Sequence, residues 1–261
     1  MGDALLALSA MKGLGTRDRS SAYLHALITA LESHTPRLRN AALRAVSDSR
    51  LALADIDAIQ DENIRHLLLT KFSPALLTAI CPQTSTRAAS HPEDEPVANF
   101  NYWRDHAYLR LIIALTSNVE WCKRLVVDRH IGYCISILNN LDEQSPAPFH
   151  LAAIFGQLRS SSPDAAGAAF EAVTDEQLPS LVKLAWQAAL DLKLYDEAEC
   201  INDFPAVIKC TEPMDITAPD LEDIRRNVGL VMEKLKKQNK YPQITSSIQG
   251  YYTELTRLTK T

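Results

Sequence analysis

The chain has 261 residues, enough for one elongated domain or two ordinary ones, and its 46% hydrophobic and 23% charged residues exclude general disorder. A formal net charge of −5 gives no basic footprint for DNA or RNA. Only 8 glycines are present, which argues against a hairpin-rich fold and against a phosphate-cradling loop.

Met1-Gly2-Asp3-Ala4-Leu5-Leu6 opens the chain without a basic region or a long apolar run, and Leu6 stands where myristoylation wants Ser or Thr. Neither a secretory leader nor that lipid is expected. Leu24, Leu27, Ile28 and Leu31 then have the spacing of a buried helix stripe. Thr35-Pro36 ends that helix and starts the next, with proline in a tolerated first-turn position. Leu38, Ala42, Ala45 and Val46 carry the second stripe, and Ile64, Leu67, Leu68, Phe72, Leu76 and Ile80 the third. A bend is expected in the third near Ser73-Pro74, where proline removes a backbone donor.

Residues 82–98 break the pattern with three prolines, small polar residues and the acidic run Glu93-Asp94-Glu95. They read as a mobile linker or a long surface loop. The expected organisation is therefore helical hairpins over residues 1–81, an acidic proline-rich linker over 82–98, and helical repeats with a C-terminal pair over 99–261.

Helices resume with Tyr108, Leu111, Ile112 and Leu115, a short helix containing Leu125 and Val126, and a third with Ile131, Ile135 and Leu138. Phe149, Ala152, Ala153 and Phe155 follow, then the alanine-rich stretch 165–173. Asp175 is the expected N-cap of a helix carrying Leu178, Leu181, Val182, Ala185 and Leu192. Residues 195–209 read as one helix interrupted by Pro205, and 211–219 as a connection. Leu221, Ile224, Val228, Val231 and Leu235 make a long stripe, with Glu222 and Asp223 expected in its first turn and Lys234, Lys236 and Lys237 in its last, as the helix dipole favours. Ile244, Ile248, Tyr251, Tyr252, Leu255 and Leu258 close the chain. No segment alternates with period two, so the expected class is all-α with about twelve helices.

Motifs for chemistry are absent. The five cysteines, Cys81, Cys122, Cys134, Cys200 and Cys210, form no CxxC pair and read as reduced thiols, with a disulfide between two of them as the alternative; reduced thiols fit a protein expected in the cytoplasm or the nucleus. Cys122 and Cys134 lie near His130 in sequence, but their helical settings make them small buried hydrophobes rather than nucleophiles. The seven histidines show no HExxH or HxH spacing, so no metal site is expected. No GxSxG elbow, Walker loop or GxGxxG occurs, and no cofactor is expected. Trp103, Trp121 and Trp186 read as packing residues, although Trp103, at the exit of the linker beside Phe100 and Tyr102, is also a candidate partner anchor.

Residues 106–140, HAYLRLIIALTSNVEWCKRLVVDRHIGYCISILNN, resemble an armadillo repeat. Ala114-Leu115-Thr116-Ser117-Asn118 matches the end of the family's long helix, and residues 120–127 its short helix. Arg129-His130-Ile131-Gly132 matches its glycine turn, and residues 133–138 the following helix. A second copy runs from Phe149 to Leu184, and the first eighty residues are similar to looser HEAT-type hairpins. The resemblance implies a right-handed superhelix of stacked helices, an α-solenoid, with a concave groove that binds a protein or peptide. The positions matching the family's ligand-binding asparagine hold Ala30, Ala114 and Gln157, so recognition of nuclear-signal peptides is not implied. Arg110 and Gln157 are the expected groove residues. Arg110 offers a forked donor to a carboxylate or carbonyl, and Gln157 an amide to a partner's main chain. The alternative for Arg110 is a pair with an acid on its own surface. The expected function is a non-catalytic scaffold for protein interaction, without nucleic acid or membrane. The alternative is an enzyme on a helical fold without a linear motif.

Overall fold

The computed structural model describes residues 17–48, 59–80, 108–138, 145–171, 173, 177–198, 200–211 and 218–259. All regular elements among them are helical, and none is a strand. The chain divides into two compact units, Met1–His130 and Ile131–Thr261, a boundary inside the stretch that resembles a repeat. The expected linker at 82–98, Trp103, Asp175 and Cys81 lie outside the described residues.

In the first unit α1 (Arg17–Leu31) buries Leu24, Leu27, Ile28 and Leu31, the stripe its spacing predicts. Pro36 begins α2 (Pro36–Asp48), which packs on α1 and turns Ala42 into the core. Asp61 caps α3 (Glu62–Leu67), its carboxylate accepting the N–H groups of Asn63 and Ile64 at 3.0 and 3.3 Å. Leu68–Phe72 then forms a wide π turn, in which the Ser73 N–H donates to the Leu68 carbonyl, and α4 (Ser73–Ile80) continues. The widening answers the proline that follows. In an α-helix the Pro74 ring would clash with the Thr70 carbonyl, and an extra residue in the preceding turn relieves that contact.

Residues 108–115 form α5, burying Tyr108, Leu109, Leu111, Ile112 and Leu115. Asn118 caps α6 (Val119–Val127) by accepting the Trp121 N–H at 3.1 Å, and Trp121, Cys122 and Leu125 enter the core. The turn into α7 (His130–Leu138) corrects the sequence reading. Arg129 takes the left-handed conformation, with φ of 64°, while Gly132 lies inside the helix and no glycine has a positive φ among the described residues. The helix can start two residues before its glycine because the turn is already made.

In the second unit α8 (Ala147–Ser161) is covered from Pro148 to Gly156. It is packed against α9 (Pro163–Glu171), α10 (Gln177–Asp191) and α11 (Phe204–Cys210). Pro205 does not interrupt a helix. Tight turns at Leu194–Asp196 and Ile201–Asp203 precede α11, and Pro205 lies in its first turn, where a missing N–H costs nothing. The last helices, α12 (Ala218–Gln238) and α13 (Pro242–Leu258), pack on each other; α12 lies on α10 and α13 on α11. Because α12 starts at Ala218, its first-turn acid is Asp220, and Glu222 and Asp223 stand beyond that turn.

Candidate functional site

Among the described residues of the first unit, Ser73, Tyr108 and His130 form a buried polar cluster. Ser73 opens α4, Tyr108 opens the buried stripe of α5, and His130 is the first residue of α7. Tyr108 Oη lies 2.8 Å from His130 Nδ1, while His130 Nε2 lies 3.0 Å from both Oγ and the carbonyl oxygen of Ser73. The Tyr108 and His130 rings stack at a centroid distance of 6.0 Å.

A serine hydroxyl beside an imidazole invites comparison with a nucleophile and its base, and three facts argue against it. First, the Ser73 carbonyl can only accept, so Nε2 carries the proton and Nδ1 receives the Tyr108 hydroxyl. A protonated Nε2 cannot take a proton from Ser73. Second, burial pushes the His130 pKa down to about 4, leaving a poor base at neutral pH, and the bond to Ser73 offsets this only in part. Third, Ser73 and His130 are both 0% exposed, so no substrate reaches the pair. The cluster ties three helices together.

The described thiols are equally withdrawn. Burial pushes Cys122 up to about 11 and Cys134 and Cys210 up to about 12, so none carries thiolate at neutral pH. The Cys122 thiol donates to the Thr116 carbonyl at 3.2 Å. Cys122, Cys134 and both described tryptophans, Trp121 and Trp186, are core residues, as the sequence predicts. Among the described residues no group of three or more His, Cys, Asp or Glu side chains gathers in a way that could hold a metal ion.

Of the residues expected to meet a partner, Arg110 is half-buried on α5 in the first unit and Gln157 is half-buried on α8 in the second. Ala114, one turn after Arg110, is also half-buried, whereas Ala153, one turn before Gln157, is fully covered. The face shared by Ala153 and Gln157 therefore reaches the surface only at Gln157. Two residues further on, Arg159 lies over the Phe170 ring at 4.6 Å and donates to the carbonyls of Lys209 and Cys210 at 3.1 and 3.4 Å. It thereby satisfies the C-terminal carbonyls of α11.

The surface of α12 is charged and internally paired. Lys183 Nζ on α10 lies 2.9 Å from both Asp220 and Asp223, and Arg225 holds Glu222 and donates to the Tyr252 hydroxyl at 3.2 Å. Asp223 is held below the usual carboxylate range by Lys183, and Glu222 by Arg225. At the α12–α13 corner a shallow hollow of ≈ 310 Å³ is lined by Leu235, Lys236, Asn239, Pro242, Thr245 and Gln249 among others. Lys236 Nζ already donates to Gln249 there, and no second charged side chain lines the hollow. Sequence reasoning missed the Ser73–Tyr108–His130 cluster. The available signal was that Tyr108 and His130 each occupy a place on a buried stripe, Tyr108 with Leu111, Ile112 and Leu115, and His130 with Cys134 and Leu138. No helix among the described residues is long and apolar enough to cross a membrane. No family model, no curated protein and no solved structure matches this chain.

Proposed function

We propose that the chain is a non-catalytic scaffold for protein interaction, built from stacked helical hairpins of the armadillo or HEAT kind. The observation that supports this reading is where the reactive groups lie. The described Ser73–Tyr108–His130 cluster and the described thiols are buried in the core, while Arg110 and Gln157 are half-buried on α5 and α8. Sequential neighbours also pack as pairs, α1 on α2, α8 on α9 and α12 on α13, which is the local unit of such repeats. Rigid helices presenting spaced polar donors suit recognition of a protein or peptide main chain.

The test uses the tagged full chain in affinity capture from cell extract, beside Arg110→Ala and Gln157→Ala studied separately. The expected result is a partner whose capture weakens in at least one variant while both melt within about 2 °C of the parent, as surface substitutions do. Undiminished capture by both variants would remove these residues from the interface. A large fall in melting temperature would assign the affected residue to the core.

A further inference from the structure

Four Ser/Thr-Pro dipeptides occur in the sequence, Thr35-Pro36, Ser73-Pro74, Ser145-Pro146 and Ser162-Pro163. The dipeptide alone is a weak signal for proline-directed phosphorylation, and the structure separates the four. Ser73 is 0% exposed and bound into the imidazole cluster. Ser162 is 5% exposed, and its hydroxyl accepts the Ala165 N–H at 3.4 Å. Ser145 is half-buried and accepts the Ala147 N–H at 3.1 Å. Thr35 alone is exposed, in the short corner between the end of α1 at Leu31 and the start of α2 at Pro36. Its hydroxyl makes no hydrogen bond among the described residues.

The charge around Thr35 is a second, independent observation. The first turn of α2 is the positive pole of that helix and holds no acidic residue, yet Arg37 and Arg39 follow at once. Arg39 Nη1 reaches back and donates to the Ser33 carbonyl at 2.9 Å, which folds the guanidinium over the corner. Neither arginine pairs with a carboxylate among the described residues. Two cations and a helix N-terminus thus follow directly on an exposed hydroxyl, and the acid of the corner, Glu32, forms an ion pair with neither arginine among the described residues.

We propose that Thr35 is a phosphorylation site for a proline-directed protein kinase, and that the phosphate fastens the α1–α2 corner. Thr35 Oγ1 attacks the γ-phosphorus of ATP. The new Oγ1–P bond forms as the bond from that phosphorus to the β,γ-bridging oxygen breaks, ADP leaves with the electron pair, and the hydroxyl proton passes to the kinase's aspartate. A kinase cleft takes an extended segment. Residues 32–35 already lie outside the helices, and the first turn of α2 opens at little cost because Pro36 has no N–H bond to lose. The phosphate then accepts charge-assisted hydrogen bonds from Arg37 and Arg39 and complements the pole of α2.

The experiment treats the full chain with a recombinant proline-directed kinase and magnesium ATP, and maps the phosphate by mass spectrometry. The expected product carries it on Thr35, and Thr35→Ala takes up none. In the phosphorylated chain, amide exchange in the first turn of α2 is expected to slow about five-fold, a typical gain for an anion at a helix N-terminus. Arg39→Gln should still be phosphorylated but lose most of that slowing. No incorporation, or incorporation at Ser145 or Ser162 instead, would overturn the site. Phosphate on Thr35 with unchanged exchange would overturn the fastening of the corner.

Discussion

In the first unit α4, α5 and the start of α7 meet on an imidazole held from both sides by a phenol and by a serine. In the second, α8 and α11 meet at Gly156, so closely that a Cβ there would lie 1.8 Å from the Ala206 carbonyl oxygen. Around that contact the core is aromatic, Phe149 on Phe204 and Phe204 on Trp186, with ring centroids 5.0 and 5.7 Å apart. The Trp186 indole N–H is buried there without a partner among the described residues. One core is pinned by directional bonds that a proton can disturb, and the other by shape. The two should therefore fail under different stresses.

The largest effect is expected at the steric contact. In Gly156→Ala the new methyl meets backbone, the Ala206 carbonyl and the Cys210 nitrogen, rather than the end of a flexible side chain. Overpacking costs about 1–3 kcal/mol where side chains can yield, and a clash with backbone belongs at or beyond the upper end. Chemical denaturation of Gly156→Ala should show a loss of about 3 kcal/mol or more. A loss below about 1 kcal/mol would mean that α8 and α11 can slide apart, and the contrast with the first unit would weaken.

Acid should act on the polar pin first. Burial lowers His130 to about 4 from an ordinary 6.5, so in that interval the unfolded chain takes up a proton that the folded chain refuses. Stability of the first unit falls as pH is lowered from 6.5 to about 4, by on the order of 3 kcal/mol, and this group contributes no further loss below that range. The thiols give a separate readout for each unit. Cys122 and Cys210 are 0% exposed, so a pyridyl disulfide reaches them only when their own cores open. Labelling of Cys122 should accelerate across this interval ahead of Cys210. The carboxylates paired on α12 and α13, Glu222, Asp223 and Glu254, are held below their usual range, and their pairs fail only as pH falls beneath about 4.5. His130→Gln should flatten the Cys122 response, and equal acceleration of both thiols in the parent would break the comparison.

The legible part of this molecule is periodic. Leu24, Leu27, Ile28 and Leu31, and Ile224, Val228, Val231 and Leu235, are buried as their spacing predicts, because helix faces repeat every 3.6 residues. Pro36 opens a helix for a local reason the sequence also displays. The polar cluster was not legible, since Ser73 and Tyr108 lie 57 and 22 residues from His130 and no spacing rule joins them. The expected bend at Ser73-Pro74 was a true signal of irregularity, but the extra residue falls in the preceding turn, where the clashing carbonyl is. Arg110 and Gln157 follow from a resemblance rather than from a stripe, and both are half-buried.

The smallest expected effect comes from a helical glycine with open space around it. Gly132 lies inside α7, exposed, with nothing within 4 Å of where its Cβ would be. Alanine there adds no contact in the folded state but removes conformational freedom from the unfolded chain and favours the helix. Gly132→Ala should therefore raise stability by about 0.5–1 kcal/mol. An armadillo-like turn at this glycine would require the opposite result, because a glycine that makes a sharp turn cannot be replaced without strain. The chain turns instead at Arg129, whose φ of 64° costs a residue with a Cβ about 1 kcal/mol. Arg129→Gly should relieve that strain while loosening the unfolded chain, leaving a net gain smaller than that of Gly132→Ala. Thermal melts of the two variants decide the matter by sign. A rise for Gly132→Ala places the turn at Arg129, and a fall places it at the glycine, where the repeat pattern puts it.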